Sequence, residues 1–274
     1  MMEIFETHAH LTDERFVDDL EDILSRAKEA GVNQIILASA DMEESEKSIR
    51  LARSMTTEQQ ELWCMIGVHP HAASQYTLES HERLSEWLKD RENLRIVGIG
   101  EIGLDYHYDL SPRDVQREVF RKQLNLAYEA DVPFILHERE ATQDSLSILN
   151  EFSLAGRLRK IPGVCHCFSG SEETAEVLLR LGFYLGFDGP ITFKNARRSP
   201  QVIQMAPMDR LLVETDCPYL TPEPFRGKRN EPSYLPYVIQ KMAEFKSVSV
   251  EDMAKISAEN ACRLFSIKKS VPKI

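Results

Sequence analysis

The sequence predicts an α/β fold, a single (β/α)8 TIM-type barrel with a metal site at the C-terminal rim of its strands. Three observations point there. Eight short β-rich runs recur at intervals of 22 to 37 residues, each long enough for one strand and one covering helix. The chain has 274 residues, close to the roughly 250 that such a barrel uses as one unit. Ionisable residues gather at the ends of the runs, where a barrel's loops converge. No linker, low-complexity tract or repeat beyond the βα alternation divides the chain, so residues 1–274 are expected to form one domain. A doubly wound sheet shows the same alternation and stays open, because strand order is invisible in sequence.

The runs begin at Glu3 (EIFETH), Gln34 (QIILAS), Leu62 (LWCMIG), Arg95 (RIVGIGE), Val132 (VPFILH), Ile161 (IPGVCH), Phe183 (FYLGF) and Arg210 (RLLVET). Between the first two, Leu20, Ile23, Leu24 and Ala27 follow the i, i+3, i+4, i+7 spacing of a helix face, and Gly31 stands where a C′ glycine would end that helix. Ser111 followed by Pro112 reads as an N-cap and first-turn proline opening a helix to about Ala130. Pro218 to Pro236 holds five of the thirteen prolines and predicts a shaped loop after the eighth strand. Ser249, with Asp252 three residues on, opens a last helix carrying Met253, Ile256 and Leu264 on one side.

Charge and cysteine usage exclude several roles. With 33 Lys+Arg against 44 Asp+Glu the net charge is −11, which argues against general adhesion to nucleic acid or anionic membrane. Any polyanion must be met locally. Five thinly spread cysteines and an acidic start without a signal-peptide pattern predict a reducing, cytoplasmic setting. No stretch approaches 18 consecutive apolar residues, so no membrane span is expected, and no feature implies an obligate protein partner.

The chemistry sits on six residues. His8 and His10 end the first run, Glu101 lies on the fourth, His137 ends the fifth, His166 the sixth and Asp216 the eighth. His8 and His10 are two apart, so a strand's alternation aims both imidazoles to one side, with about 6.6 Å between their backbones. A lone histidine is more often a packed or surface residue. Four histidines and two acids in one barrel mouth are another matter, because each buried ionisable group costs energy unless it binds something. Imidazoles with carboxylates form the ligand set of Zn²⁺, Mn²⁺, Fe²⁺ or Ni²⁺, and a carboxylate can bridge two ions.

These residues lie in the segments ETHAHL from Glu6, GVHPH from Gly67, GEIGLDY from Gly100, HERE from His137, HCFSG from His166, GPITFKNA from Gly189, ETDCPYLTP from Glu214 and RGKRNEP from Arg226. Together they are specific and cover nearly the whole chain, which resembles the TatD family of metal-dependent deoxyribonucleases within the amidohydrolase superfamily. The resemblance implies a two-metal site: His8, His10 and Asp216 on one divalent ion, His137 and His166 on the second, and Glu101 shared. The ions could be Mg²⁺, Mn²⁺ or Zn²⁺. It also implies a hydrolase of DNA phosphodiester bonds, an exodeoxyribonuclease using metal-activated water. Two departures from the family pattern are Glu6, where Asp is frequent, and Ala9, where Cys is frequent; Ala9 should face away from the metal.

Asp216 is the candidate to hold the attacking water and take its proton, with Glu101 as the catalytic bridge and Glu214 as a supporting neighbour by alternation. Substrate contacts are expected from His69 after the third strand, from Arg139, from Lys194 after the seventh strand, and from Arg226, Lys228 and Arg229 after the eighth. Arg197 and Arg198 read as solvated surface, as do His71, His81 and His107. Cys165 and Cys167 flank His166 and should point away from it into packing. A small-molecule amidohydrolase or esterase on the same metals is the competing function; a bridging carboxylate at Glu101 removes only its variant with a carboxylated lysine on strand four. A non-catalytic binding protein would leave no open coordination position.

Overall fold

A computed structural model describes residues 2–267. Eight strands form one sheet in sequence order, every neighbouring pair parallel: β1 (Ile4–Ala9), β2 (Val32–Leu37), β3 (Glu61–Ile66), β4 (Ile96–Asp105), β5 (Phe134–Arg139), β6 (Gly163–Cys165), β7 (Tyr184–Phe187) and β8 (Leu211–Val213). The order excludes a doubly wound sheet. Closure between the ends is made by irregular chain: Asp216 N–H donates to His8 O at 3.0 Å and His10 N–H to Cys217 O at 2.9 Å. The helices α1 (Leu20–Glu29), α2 (Met42–Met55), α3 (Leu78–Lys89), α4 (Arg113–Glu129), α5 (Thr142–Leu154), α6 (Glu172–Arg180) and α7 (Arg198–Met205) connect the strands, and α8 (Leu235–Lys246) and α9 (Val250–Phe265) follow β8. This is the (β/α)8 barrel that the spacing predicts. Among the described residues no helix is long and apolar enough to cross a membrane.

Two apolar layers explain how the site gains its depth. The larger fills the space between strands and helices, and includes Ile23, Leu24 and Ala27 of α1. The smaller takes one residue from each strand, Phe5, Ile36, Met65, Val97, Ile135, Val164, Tyr184 and Leu212, and is completed by Ala261, Leu264 and Phe265 of α9. It fills the barrel's lower end with side chains, as expected of a packed barrel interior. Two residues above Ile135, Val164 and Leu212, alternation turns His137, His166 and Glu214 the same way, into the mouth. β1 and β4 change register between Glu6 and Ala9 and between Ile99 and Ile102. Such irregularities re-aim side chains near active sites.

Local details depart from expectation in two helices. Helix α4 starts one residue late, with Pro112 at the N-cap and no side-chain cap. The Ser111 hydroxyl instead donates to His71 O at 2.9 Å and accepts Ser74 N–H at 3.0 Å, fixing the loop after β3. In α9 Met253 and Leu264 are buried while Ile256 is half-buried, and Ser249 caps Asp252 N–H as its spacing implies.

The loop after β8 is held to α1 by ion pairs. Arg26 meets both carboxylate oxygens of Glu231 at 2.8 Å. Burial raises the Glu231 carboxyl, but the Arg26 hydrogen bonds outweigh it and hold the group below its ordinary value. A depressed carboxyl stabilises the fold above its unfolded pKa, and the contribution is lost as pH falls through the folded value. Glu231→Gln should therefore lower stability at pH 7 by about 1 kcal/mol, a modest figure because the Arg26 head is partly in water. In urea titrations the gap to wild type should close as pH drops below about 4; a gap of constant size would show that the pair contributes through shape alone.

Candidate metal centre

Six ionisable side chains converge on one point at the C-terminal end of the strands. Glu101 stands within β4 with almost no solvent contact, and its two oxygens face different partners. Oε2 lies 3.3 Å from His8 Nε2 and 3.2 Å from His10 Nε2. Those nitrogens are 3.1 Å apart, and Asp216 Oδ1 lies 3.5 and 3.3 Å from them. Oε1 lies 2.8 Å from His166 Nε2 and 3.1 Å from His137 Nδ1, which are 3.1 Å from each other. His69 Nε2 stands further out, 3.7 Å from Oε1.

These distances fit metal coordination. Donor atoms about 2.0–2.2 Å from one ion are separated by roughly 3.0 Å at right angles and roughly 3.4 Å at tetrahedral angles. Both sets have edges of that size, so each could hold an ion, with one Glu101 oxygen in each. One imidazole in each set is raised by the acids beside it, while burial lowers His8 to about 4. Burial would lower His10, yet hydrogen bonds with Asp216 and Glu101 raise it well above its ordinary value. Burial likewise opposes His137, but Asp105 and Glu101 push it up to about 9. Glu101 and Asp216 are held low against burial, Glu101 by the charges of His166 and His8, Asp216 by its bond with His10 and the charge of His8.

Asp216 is aimed by backbone. Strand β8 ends at Val213, and Asp216 has φ +54°, a left-handed conformation uncommon outside glycine that turns its carboxylate toward His8 and His10.

Neighbouring groups fix the ring orientations. Asp105, at the end of β4, has Oδ2 3.1 Å from His137 Nε2 and 2.9 Å from His71 Nε2, while Oδ1 accepts the N–H of His107 and Tyr108. In the neutral ring that would bind an ion, a proton on Nε2 facing Asp105 would leave the Nδ1 lone pair of His137 on the side of Glu101. Gly103 lets β5 approach, since a Cβ there would lie 2.0 Å from His137 O. Glu6 Oε1 accepts N–H from His8 and from Thr215, each at 3.0 Å, joining β1 to the chain after β8. Glu214 Oε1 accepts Cys167 N–H and lies 3.7 Å from His166 Nδ1. His69 Nδ1 accepts the His71 N–H at 3.1 Å, so the proton of its neutral ring belongs on Nε2, facing Glu101.

The comparisons with known proteins agree on this centre's family. Residues 5–266 match the model of "TatD related DNase". The chain belongs to the TatD-related DNase family. It is 45% identical over 265 residues to the uncharacterized metal-dependent hydrolase YabD of Bacillus subtilis, covering 96% of this chain and 99% of that one. It is 33% identical over 273 residues to the 3'-5' ssDNA/RNA exonuclease TatD of Escherichia fergusonii, covering 96% and 99%. Among solved structures it is similar to YjjV, a TatD homolog from Escherichia coli K12, with TM-score 0.87, 31% identity and coverage of 97% and 98%. The protein is a metal-dependent hydrolase.

The other residues singled out in the sequence lie at varying distances from this TatD-type centre. His69 is buried, its ring 4.3 Å from that of His137. Arg139 ends β5, stacked at 4.8 Å over Tyr108. Lys194, Arg226 and Lys228 are exposed on the loops after β7 and β8, Arg226 stacked at 4.2 Å over Phe193. Arg229 is placed otherwise than its grouping with these cations suggests: its guanidinium meets Asp19 and Arg15 O, and holds the loop to the chain before α1.

Two further readings change. His71 is not simple surface, since it shares Asp105 with His137. Cys165 does pack in the outer layer, but β6 ends there, and Cys167, at φ +45°, turns its thiol toward Asp188 instead of outward. Asp105 and Asp188 are the two acids of the mouth that the sequence reading does not single out. Alternation already places Asp105 on the face of Glu101, and Asp188 directly follows the seventh run.

Asp105→Asn removes the carboxylate that orients His137 and should weaken metal binding about 10–100-fold, the usual effect of losing such a partner. Competition titration against a chelator measures it. Unchanged affinity with an unchanged circular dichroism spectrum would show that His137 needs no orienting partner.

Proposed function

We propose that this chain is a two-metal phosphodiesterase that shortens nucleic acid, DNA in the first place, from a strand end. The observation that carries this reading is the division of Glu101 between two sets of donors. His8, His10, Asp216 and Glu101 Oε2 would hold one divalent ion, and His137, His166 and Glu101 Oε1 the other. Two adjacent divalent ions supply a low-pKa water as nucleophile and neutralise charge on both the attacking and leaving oxygens of a displacement at phosphorus. The second set offers three protein donors, so a four-coordinate ion there would keep a position open, unlike one in a closed structural site.

The residues divide the remaining work. Asp216 is ionised and the more open of the two carboxylates, its side chain 13% exposed against 4% for Glu101, so it can accept the proton of the attacking water. His69 stays neutral because burial lowers it well below its ordinary value. Its Nε2–H can donate to an oxygen of the phosphoryl group. Arg139, Lys194, Arg226 and Lys228 offer cations around an otherwise acidic surface, which a phosphate chain needs and a neutral amide does not. The name of the Escherichia fergusonii relative, an exonuclease of ssDNA and RNA, points the same way.

Metal-depleted protein, given Mg²⁺, Mn²⁺ or Zn²⁺ in turn, should release mononucleotides from end-labelled strands and do nothing without an ion. Hydrolysis of esters or lactones with every nucleic acid left intact would assign the centre to the small-molecule hydrolases. Glu101→Ala should lower bound metal at both positions and abolish hydrolysis while the barrel stays folded; full activity in that variant would remove the two-metal reading.

A further inference from the structure

Two half-exposed tyrosines stand on either side of the metal centre, and no step assigned so far uses them. Tyr108 is 54% exposed and Tyr219 is 48% exposed. Each lies three residues beyond an acid of the centre, Asp105 or Asp216, and each is anchored to that acid by its own backbone N–H. Tyr108 N–H donates to Asp105 Oδ1 at 2.8 Å, and Tyr219 N–H to Asp216 O at 3.0 Å. Tyr219 meets the ring of His10 edge-on at 6.2 Å, beside the first donor set. Tyr108 meets His71 edge-on at 5.3 Å, and His71 shares Asp105 with His137 of the second set.

Each ring also carries a guanidinium. Arg15 lies 4.4 Å from the centre of Tyr219, and Arg139 lies 4.8 Å from that of Tyr108. Asp13 holds Arg15 through two hydrogen bonds of 2.8 Å. A flat aromatic next to a flat cation is what an unpaired base stacks on, and the cation meets the adjoining phosphate.

We infer that Tyr108 and Tyr219 are stacking platforms for the bases on either side of the phosphate being cleaved. The inference rests on the nuclease reading above. A phosphodiester over the centre carries one nucleoside to each side, Tyr219 toward the first donor set and Tyr108 toward the second.

The test uses the metal-loaded full chain and short end-labelled DNA, either intact or abasic at the last two positions. Tyr108→Ala and Tyr219→Ala should each raise KM for the intact single strand by about tenfold, in line with the loss of one stacked base. The double variant should lose about the product of the two. Tyr→Trp should restore binding at either position. On the abasic strand, which keeps the phosphates, wild type should fall toward the alanine variants and the difference between them should largely vanish. Bound metal should match wild type throughout, which excludes a collapsed centre.

Equal losses on intact and abasic strands would overturn the inference, because the rings would then be shaping the loops alone. Intact single strands cleaved equally well by all variants would also overturn it while leaving the nuclease reading in place. Failure of the wild type to cleave any nucleic acid would remove both.

Discussion

Everything at the mouth of this barrel is arranged around one carboxylate, Glu101, which is nearly sealed from water with imidazole nitrogens on both oxygens. Such a group is tolerated only where cations face it, since an isolated buried charge costs several kcal/mol even after relaxation. The rest of the architecture supplies that condition. β1 delivers His8 and His10, β5 and β6 deliver His137 and His166, and the irregular chain after β8 delivers Asp216. No two of the strands need be close in sequence. The parallel barrel makes them neighbours, and the plug of one apolar residue per strand sets the height at which their ends meet.

The same mouth holds two kinds of acid, separated by surroundings. Glu101, Asp105 and Asp216 touch imidazoles and are held low in spite of burial. Glu6, Asp188 and Glu214 lie deeper, where burial dominates and neighbouring acids add to it; Glu6 is pushed up to about 8, and the other two also rise well above their ordinary value. The first group can bind cations and take protons, whereas the second favours the neutral form and supports the first. Glu6 orders the backbone of His8 and Thr215, and Glu214 that of Cys167 next to His166. Gly186 leaves room for Glu214, because a Cβ there would lie 2.5 Å from its Oε2. Environment separates the roles of chemically similar carboxyls.

Much of this was legible in the chain because β alternation and βα spacing are local signals. The eight runs start within three residues of the observed strands, and His137 and His166 follow from alternation above Ile135 and Val164. Legibility ended where regular geometry ended. Cys167 and Asp216 lie beyond their strands in left-handed conformations, so alternation misdirected the first and reached the second only through its motif. His71 gives no periodic signal at all, since it sits in a short 3-10 turn after β3 and reaches the centre through Asp105. Arg229 reads as a free cation beside Lys228, but its partner Asp19 is distant in sequence and adjacent only in the closed barrel.

The central claim is that one carboxylate joins two ions. Titration of the metal-depleted protein with Mn²⁺, followed by electron paramagnetic resonance, addresses it most directly. Binding should saturate at two equivalents, and the spectrum at full loading should be that of an exchange-coupled pair. Saturation at one equivalent, or two equivalents with the spectrum of isolated ions, would contradict the bridge.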